Sequence, residues 1–148
     1  MKAIVIYDSQ YGNTEQVAKA IGGGIGGEVK VVRFGDVKAA ELASYDLLFV
    51  GSPTQGGRYT MSMKGFLDAI PSGTLKNVRV ASFDTRLKTK LVKIFGYAGT
   101  RIADTLTIKG GNLAAPAEGF LVKSAKGPIL DGELERAAAW AKGIAEKK

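Results

Sequence analysis

Neither cysteine nor histidine occurs in this 148-residue chain. Without cysteine there is no disulfide framework, no thiolate nucleophile and no thiolate metal site. Without histidine the commonest metal ligand and the usual near-neutral acid or base are missing, so zinc chemistry and hydrolytic triads drop out. No catalytic or metal-binding side chain is therefore assigned. No apolar run approaches the roughly 18 residues of a membrane span, and Met1 leads straight into a strand pattern without the apolar core of a signal peptide. A soluble, cytoplasmic protein is expected. Acidic residues are also scarce, 14 against 21 basic ones, which leaves a formal charge of +7.

What is present is concentrated in residues 2–14, KAIVIYDSQYGNT. Lys2 to Tyr7 is a short apolar run with β-branched Ile4, Val5 and Ile6, which suits a strand buried on both faces. Small and polar residues from Asp8 to Thr14 break the run, and Val17, Ala18 and Ile21 then follow at helical spacing. A helix that starts at such a turn aims unpaired amides and the positive end of its dipole into it, which makes an anion site. Ser9, Thr14 and Asn13 add neutral donors, and Gly12 allows close approach of the backbone. Between Asp8 and Glu15 there is no Lys or Arg, and neither G-x-x-x-x-G-K-[ST] nor G-x-G-x-x-G. A phosphate held by uncharged donors fits this turn. Ser9-Gln10-Tyr11-Gly12-Asn13-Thr14 after Tyr7 resembles the phosphate loop of the flavodoxin family, which in that family holds the terminal phosphate of FMN. Tyr11 stands where simple flavodoxins carry a hydroxyl residue, and is similar to the flavodoxin domains of larger flavoproteins.

Downstream, strand and helix patterns alternate. Gly22 to Gly27 is expected to stop the first helix and to form a mobile connection. Glu28 to Arg33 reads as an edge strand, Asp36 to Ser44 as a short helix-compatible stretch, and Leu47 to Val50 as a third, buried strand. Met63, Phe66, Leu67 and Ile70 mark a helix that Pro71 ends. Val78 to Phe83 is the fourth strand. From Lys90, the residues Leu91, Phe95, Ala98, Ile102 and Leu106 keep helical spacing, and Glu118 to Val122 is a short fifth strand. Asp131 is expected to cap a last helix whose inner face carries Leu134, Ala138, Ala141 and Ile144. Trp140, on that helix, reads as packing. The alternation, without repeat or linker, predicts one doubly wound α/β domain over 1–148 with a five-stranded parallel sheet. The order 2-1-3-4-5 is implied by the resemblance, flavodoxin being the standard example of it.

Two further loops match the resemblance. Ser52 to Tyr59 is longer and richer in glycine than a plain connection needs, and is similar to the family's flavin loop, so Pro53, Thr54, Gln55, Gly56, Gly57 and Tyr59 join the candidate site. Gln55 stands where the family often has the stacking aromatic, so the resemblance leaves two alternatives: Tyr59 reaches the ring, or the dimethylbenzene edge is open. Ser82 to Arg86 follows the fourth strand, and the resemblance implies that Phe83, Asp84, Thr85 and Arg86 border the pyrimidine end, where an arginine would favour the anionic reduced flavin. Residues 76–109 hold eight basic residues (Lys76, Arg79, Arg86, Lys88, Lys90, Lys93, Arg101, Lys109) against Asp84 and Asp104. Beside a flavin loop, that excess reads as a docking patch for an acidic redox protein. No nucleic-acid motif accompanies it. The resemblance implies an FMN-binding redox protein that carries electrons between partners. The alternatives are an FMN-dependent NAD(P)H:quinone-type oxidoreductase, with a quinone as the small acceptor, and an interaction module that has lost FMN.

Overall fold

The computed structural model describes residues 1–88 and 97–147. The elements run β1 (Lys2–Tyr7), α1 (Asn13–Ile25), β2 (Glu28–Arg33), two short 3-10 turns (Phe34–Asp36 and Ala39–Ser44), β3 (Leu47–Pro53), α2 (Met61–Asp68), β4 (Arg79–Leu87), α3 (Ala98–Ile108), β5 (Asn112–Leu113), β6 (Glu118–Val122) and α4 (Glu133–Glu146). All strand pairings are parallel, in the order β2-β1-β3-β4-β5, with β6 also paired to β4. The expected fifth position is thus shared: β5 pairs with Arg79 and Val80, and β6 with Phe83 to Leu87. Pro116 lies between the two segments and has no amide to give to a ladder, so one continuous strand is not available there.

Alternation along the central strands sends side chains to two separate cores. Ile4, Ile6, Leu48, Val50 and Val80 meet Met63, Leu67, Ile102 and Leu106 on the side of α2 and α3. Ala3, Val5, Leu47, Phe49, Ala81 and Phe83 meet Val17, Ile21, Ala137, Ala141 and Ile144 on the side of α1 and α4. Both faces are covered, which is why β1 and β3 read as continuous apolar runs. Trp140 packs edge-on to Phe49 and Phe120 at 5.4 and 5.9 Å. No described helix is long and apolar enough to cross a membrane.

Three expectations change. The stretch Gly22–Gly27 does stop α1, but only past Ile25, with the turn at Gly26 and Gly27, φ +68° and +70°, so that Gly22 to Gly24 are helical. Their smallness serves packing: a Cβ on Gly24 would strike the Ala138 carbonyl of α4, and one on Gly22 would strike Val31. Asp131 does not cap α4. Gly132 takes that position at φ +86° without a side-chain cap, and Glu133 ties the helix to β6 instead, accepting from the Leu121 amide at 2.7 Å and pairing with Arg136 at 2.9 Å. Ala137 is buried on the inner face, while Leu134 and Ala138 are only partly covered. The part of the predicted helix from Lys90 to Gly96 lies outside the described residues.

Gly23, whose Cβ position is open, and Gly24 form an internal control. Gly23→Ala is expected to stabilise by about 0.5–1 kcal/mol through helix propensity, and Gly24→Ala to destabilise by about 1–3 kcal/mol through overpacking, read as opposite shifts of the urea midpoint. A second test concerns pH. Hydrogen bonds from Arg136 hold the Glu133 carboxyl below its ordinary value, against burial and with help from the Leu121 amide. A carboxyl depressed in the folded state stabilises fully above the unfolded value, ~4.3, and loses that contribution as the pH falls through the folded one. Glu133→Gln should therefore cost about 1–2 kcal/mol near neutrality, and its deficit against wild type should shrink steadily in denaturation curves taken below about pH 4.

Candidate functional site

All six strands point their C-terminal ends the same way, and the segments leaving β1, β3, β4 and β6 meet there around an open cleft of about 170 Å³. Its floor is the start of α1. Gly12 occupies the N-cap position at φ +92°, a conformation that glycine adopts without strain, and the helix has no side-chain cap. The first amides of α1 are therefore left for whatever enters the cleft. The Ser9 hydroxyl accepts from the Gly12 amide at 3.0 Å and shapes the turn. Thr14 and Thr85 share a buried hydroxyl–hydroxyl hydrogen bond of 2.8 Å that joins the floor to β4. The Asn13 side chain donates to the Ala125 carbonyl at 3.4 Å. Asp8, the one carboxylate of the turn, is held by Arg33 at 3.4 Å and receives the Thr60 hydroxyl. Negative charge is in this way drawn off from the floor.

The second wall comes from the end of β3. Thr54 donates its amide to the Thr85 carbonyl at 2.8 Å and accepts at Oγ1 from the Ala98 amide at 3.1 Å. Gln55 and Arg58 then exchange backbone hydrogen bonds of 2.7 and 3.1 Å around Gly56 and Gly57, whose φ angles of +57° and +79° give a two-residue hairpin turn of the primed type. The Gln55 and Gln10 side-chain amides hydrogen-bond across the mouth.

The third wall differs from expectation. β4 runs on to Leu87, so Ser82 to Arg86 is strand and not loop. Phe83 is fully buried against Gly51 in the core and does not face the cleft. Asp84 is also fully buried; the Arg86 guanidinium binds it through two hydrogen bonds of 2.6 Å each, and the Gly99 amide donates at 2.9 Å. Burial pushes the Asp84 carboxyl up, against the pull of Arg86 and of the Gly99 amide. Arg86 also stacks on Tyr97, 3.3 Å from the ring centroid. It therefore borders the cleft as half of an ion pair with Asp84 and not as a free cation.

The lining brings together Ser9, Gln10, Tyr11, Asn13 and Thr14 with Pro53, Thr54, Gln55, Thr85 and Arg86. Gly12, Gly56 and Gly57 shape the turns behind it. Tyr59 packs instead against the core beneath α2, because the hairpin turn carries the chain back toward that helix. The aromatic at the rim is Tyr11, 49% exposed. Leu87, Val122 and Ala125 complete the lining and were missed from sequence. The signal was available: β6 ends at the same side of the sheet as β1 and β3, where ligands of doubly wound folds bind.

Asp84→Asn leaves Arg86 without its countercharge and should lower the unfolding free energy by about 3–5 kcal/mol. The double variant Asp84→Leu/Arg86→Met should lose less than Asp84→Asn alone, a coupling that urea titrations of the variants would reveal.

Residues 5–140 match the family profile described as Flavodoxin. Among solved structures, a flavodoxin from the domain Archaea aligns with a TM-score of 0.79 at 31% identity over 99% of this chain and 97% of that one. Flavodoxin 2 of Bacillus cereus aligns with a TM-score of 0.85 at 25% identity over 100% of both chains. Among curated proteins, an NAD(P)H dehydrogenase (quinone) of Caulobacter vibrioides is 33% identical, over 46% of this chain and 46% of its own. A flavodoxin of Aquifex aeolicus is 34% identical, over 47% of this chain and 40% of its own. The chain thus spans less than half the length of these curated relatives.

Proposed function

The chain belongs to the flavodoxin family, and on that footing we propose that the cleft binds FMN and that the protein carries electrons between partner proteins. The observation that carries this reading is the uncapped start of α1, ringed by the neutral donors Ser9, Asn13 and Thr14, at the point where the ends of β1, β3 and β4 converge. A dianionic phosphate suits it: the amides and helix dipole supply positive potential, and Asp8 is turned to Arg33 and Thr60. Thr54, Gln55 and Thr85 would line the path toward the ring, and the Asp84–Arg86 pair would close its far side without net charge. At about 170 Å³ the cleft is smaller than the ~300 Å³ at which enclosed small-molecule sites begin. Part of the ligand must therefore rest on the rim, where Tyr11 and Leu87 are 49% and 41% exposed.

Bound FMN supplies one- and two-electron chemistry. The chain itself contributes holding, orientation and partial shielding from water, and with no His or Cys it offers neither an imidazole acid or base nor a thiolate nucleophile. That favours a carrier over an enzyme. The likeness to the Caulobacter vibrioides quinone reductase supports a second reading, reduction of a small quinone by NAD(P)H; steady NADPH oxidation that depends on added quinone would replace the first reading by the second.

Calorimetric titration should show FMN binding more tightly than riboflavin, and equal affinities would remove the phosphate assignment. Asn13→Ala should weaken FMN by about 1–3 kcal/mol if its amide reaches the phosphate, with riboflavin affected much less. Thr14→Ser, which keeps the hydroxyl bonded to Thr85, should retain most of the affinity.

A further inference from the structure

We propose that the mouth of the cleft is a docking face for an acidic electron-transfer protein, an inference that rests on the FMN reading. The basic stretch that suggested such a partner in sequence does not form one patch. Strands run toward the cleft and helices run back, so Lys76 and Arg79 before and at the start of β4, and Lys109 at the end of α3, lie at the opposite end of the sheet. Arg79 is engaged there with the carbonyls of Lys147 and Ile144 at 2.9 and 3.1 Å. Lys90 and Lys93 lie outside the described residues, and Arg86 is matched by Asp84.

A different set of cations, drawn from distant segments, surrounds the mouth. Arg101 reaches from α3 to the Gly57 carbonyl at 3.1 Å, beside Arg58. The Lys126 ammonium stands 5.9 Å from the ring of Tyr11. Lys88 and Lys123 flank a groove floored by Leu87, Val122 and Leu130, which continues from the cleft through Leu87 and Val122. None of these cations has a carboxylate partner among the described residues. The carboxylates around the cleft are matched already: Asp8 by Arg33, Asp84 by Arg86, Glu15 by Lys19 and the Tyr7 hydroxyl, and Glu118, which shares a groove with Lys88, by Arg136. Asp104 lies a turn further along α3, and Asp131 and Glu135 border a separate groove with Gln16.

The face therefore has an exposed apolar centre, Tyr11 and Leu87, inside a ring of unmatched positive charge. That arrangement suits a small, short-lived interface with an acidic protein, in which charge steers the encounter and contact at the centre permits electron transfer. With FMN held at the start of α1, a single electron would pass from the partner's redox centre to it, with no bond made or broken.

The probe is a reduced acidic [2Fe–2S] ferredoxin mixed with the FMN-loaded protein in a stopped-flow instrument. Lys123→Glu/Lys126→Glu is compared with Lys76→Glu/Lys142→Glu, which changes net charge equally but away from the cleft. At about 0.05 M ionic strength the first pair should slow the second-order reaction about tenfold and the second pair less than about twofold. The difference should fade near 0.5 M, where screening is effective within a few ångströms. Equal slowing by both pairs would show a response to net charge alone, and no slowing by either would remove the docking face; each overturns the proposal. So would an unchanged ferredoxin rate in a rim variant that loses sedimentation with phosphatidylserine-containing phosphatidylcholine vesicles, since the rim would then serve a membrane surface. Visible absorbance of each variant reports FMN content, so that slow transfer with flavin in place speaks to docking. A wild-type protein that takes up no FMN removes this proposal together with the reading beneath it.

Discussion

Ile4, Val5, Ile6, Leu48, Phe49 and Val50 have no exposed surface at all. Their strands lie side by side at the centre of the sheet, with helices against both faces, so no polar side chain can be placed along their length without a partner. Chemistry is thereby confined to where these strands stop. Because every pairing is parallel, the stopping points of β1, β3, β4 and β6 fall on one side, and the turns that follow are drawn together by the sheet itself. The buried hydroxyl pair of Thr14 and Thr85 and the amide of Thr54 on the Thr85 carbonyl stitch those turns into a common surface.

Around that surface the electrostatic logic is one of local neutralisation. Asp8 and Asp84 are each answered by an arginine, and burial of Asp84 raises the cost of leaving it unanswered. What remains unbalanced is on the one hand the first amides of α1, directed inward, and on the other the lysines and arginines of the rim, directed outward. An anion inside and an acidic surface outside would thus be served by different groups. The inner site offers dipoles, which would hold a charge without adding one, and the rim offers full charges that act over several ångströms of water.

The sequence was most legible where structure is decided locally. The strand from Lys2 to Tyr7 and the turn that follows can be read from the five apolar residues Ala3 to Tyr7 and a run of small donors, because two-sided burial and helix initiation both leave marks on neighbouring positions. It was least legible where a residue's role depends on something far along the chain. Gly22 to Gly24 look like a break until Gly24 is seen to lie against Ala138 and Gly22 against Val31. Asp84 and Arg86 look like loop residues until β4 is seen to run on to Leu87 and the Gly99 amide is seen to hold Asp84 within the fold. The basic stretch from Lys76 to Lys109 failed as a unit for a related reason: the chain crosses the molecule within it, and charge counted along sequence is not charge counted on a surface.

The division of the last sheet position between Asn112–Leu113 and Glu118–Val122 has a consequence for how the molecule meets copies of itself. An open edge strand offers a row of free amides and carbonyls that another chain can extend, the usual route to edge-to-edge aggregation. Here one edge is cut into pieces of two and five residues with Pro116 between them, and the other, β2, carries the exposed charges of Glu28, Lys30 and Arg33. Neither edge presents a long, flat, apolar template. The sheet can be wide and strongly hydrophobic inside and still resist growing outward into a fibre.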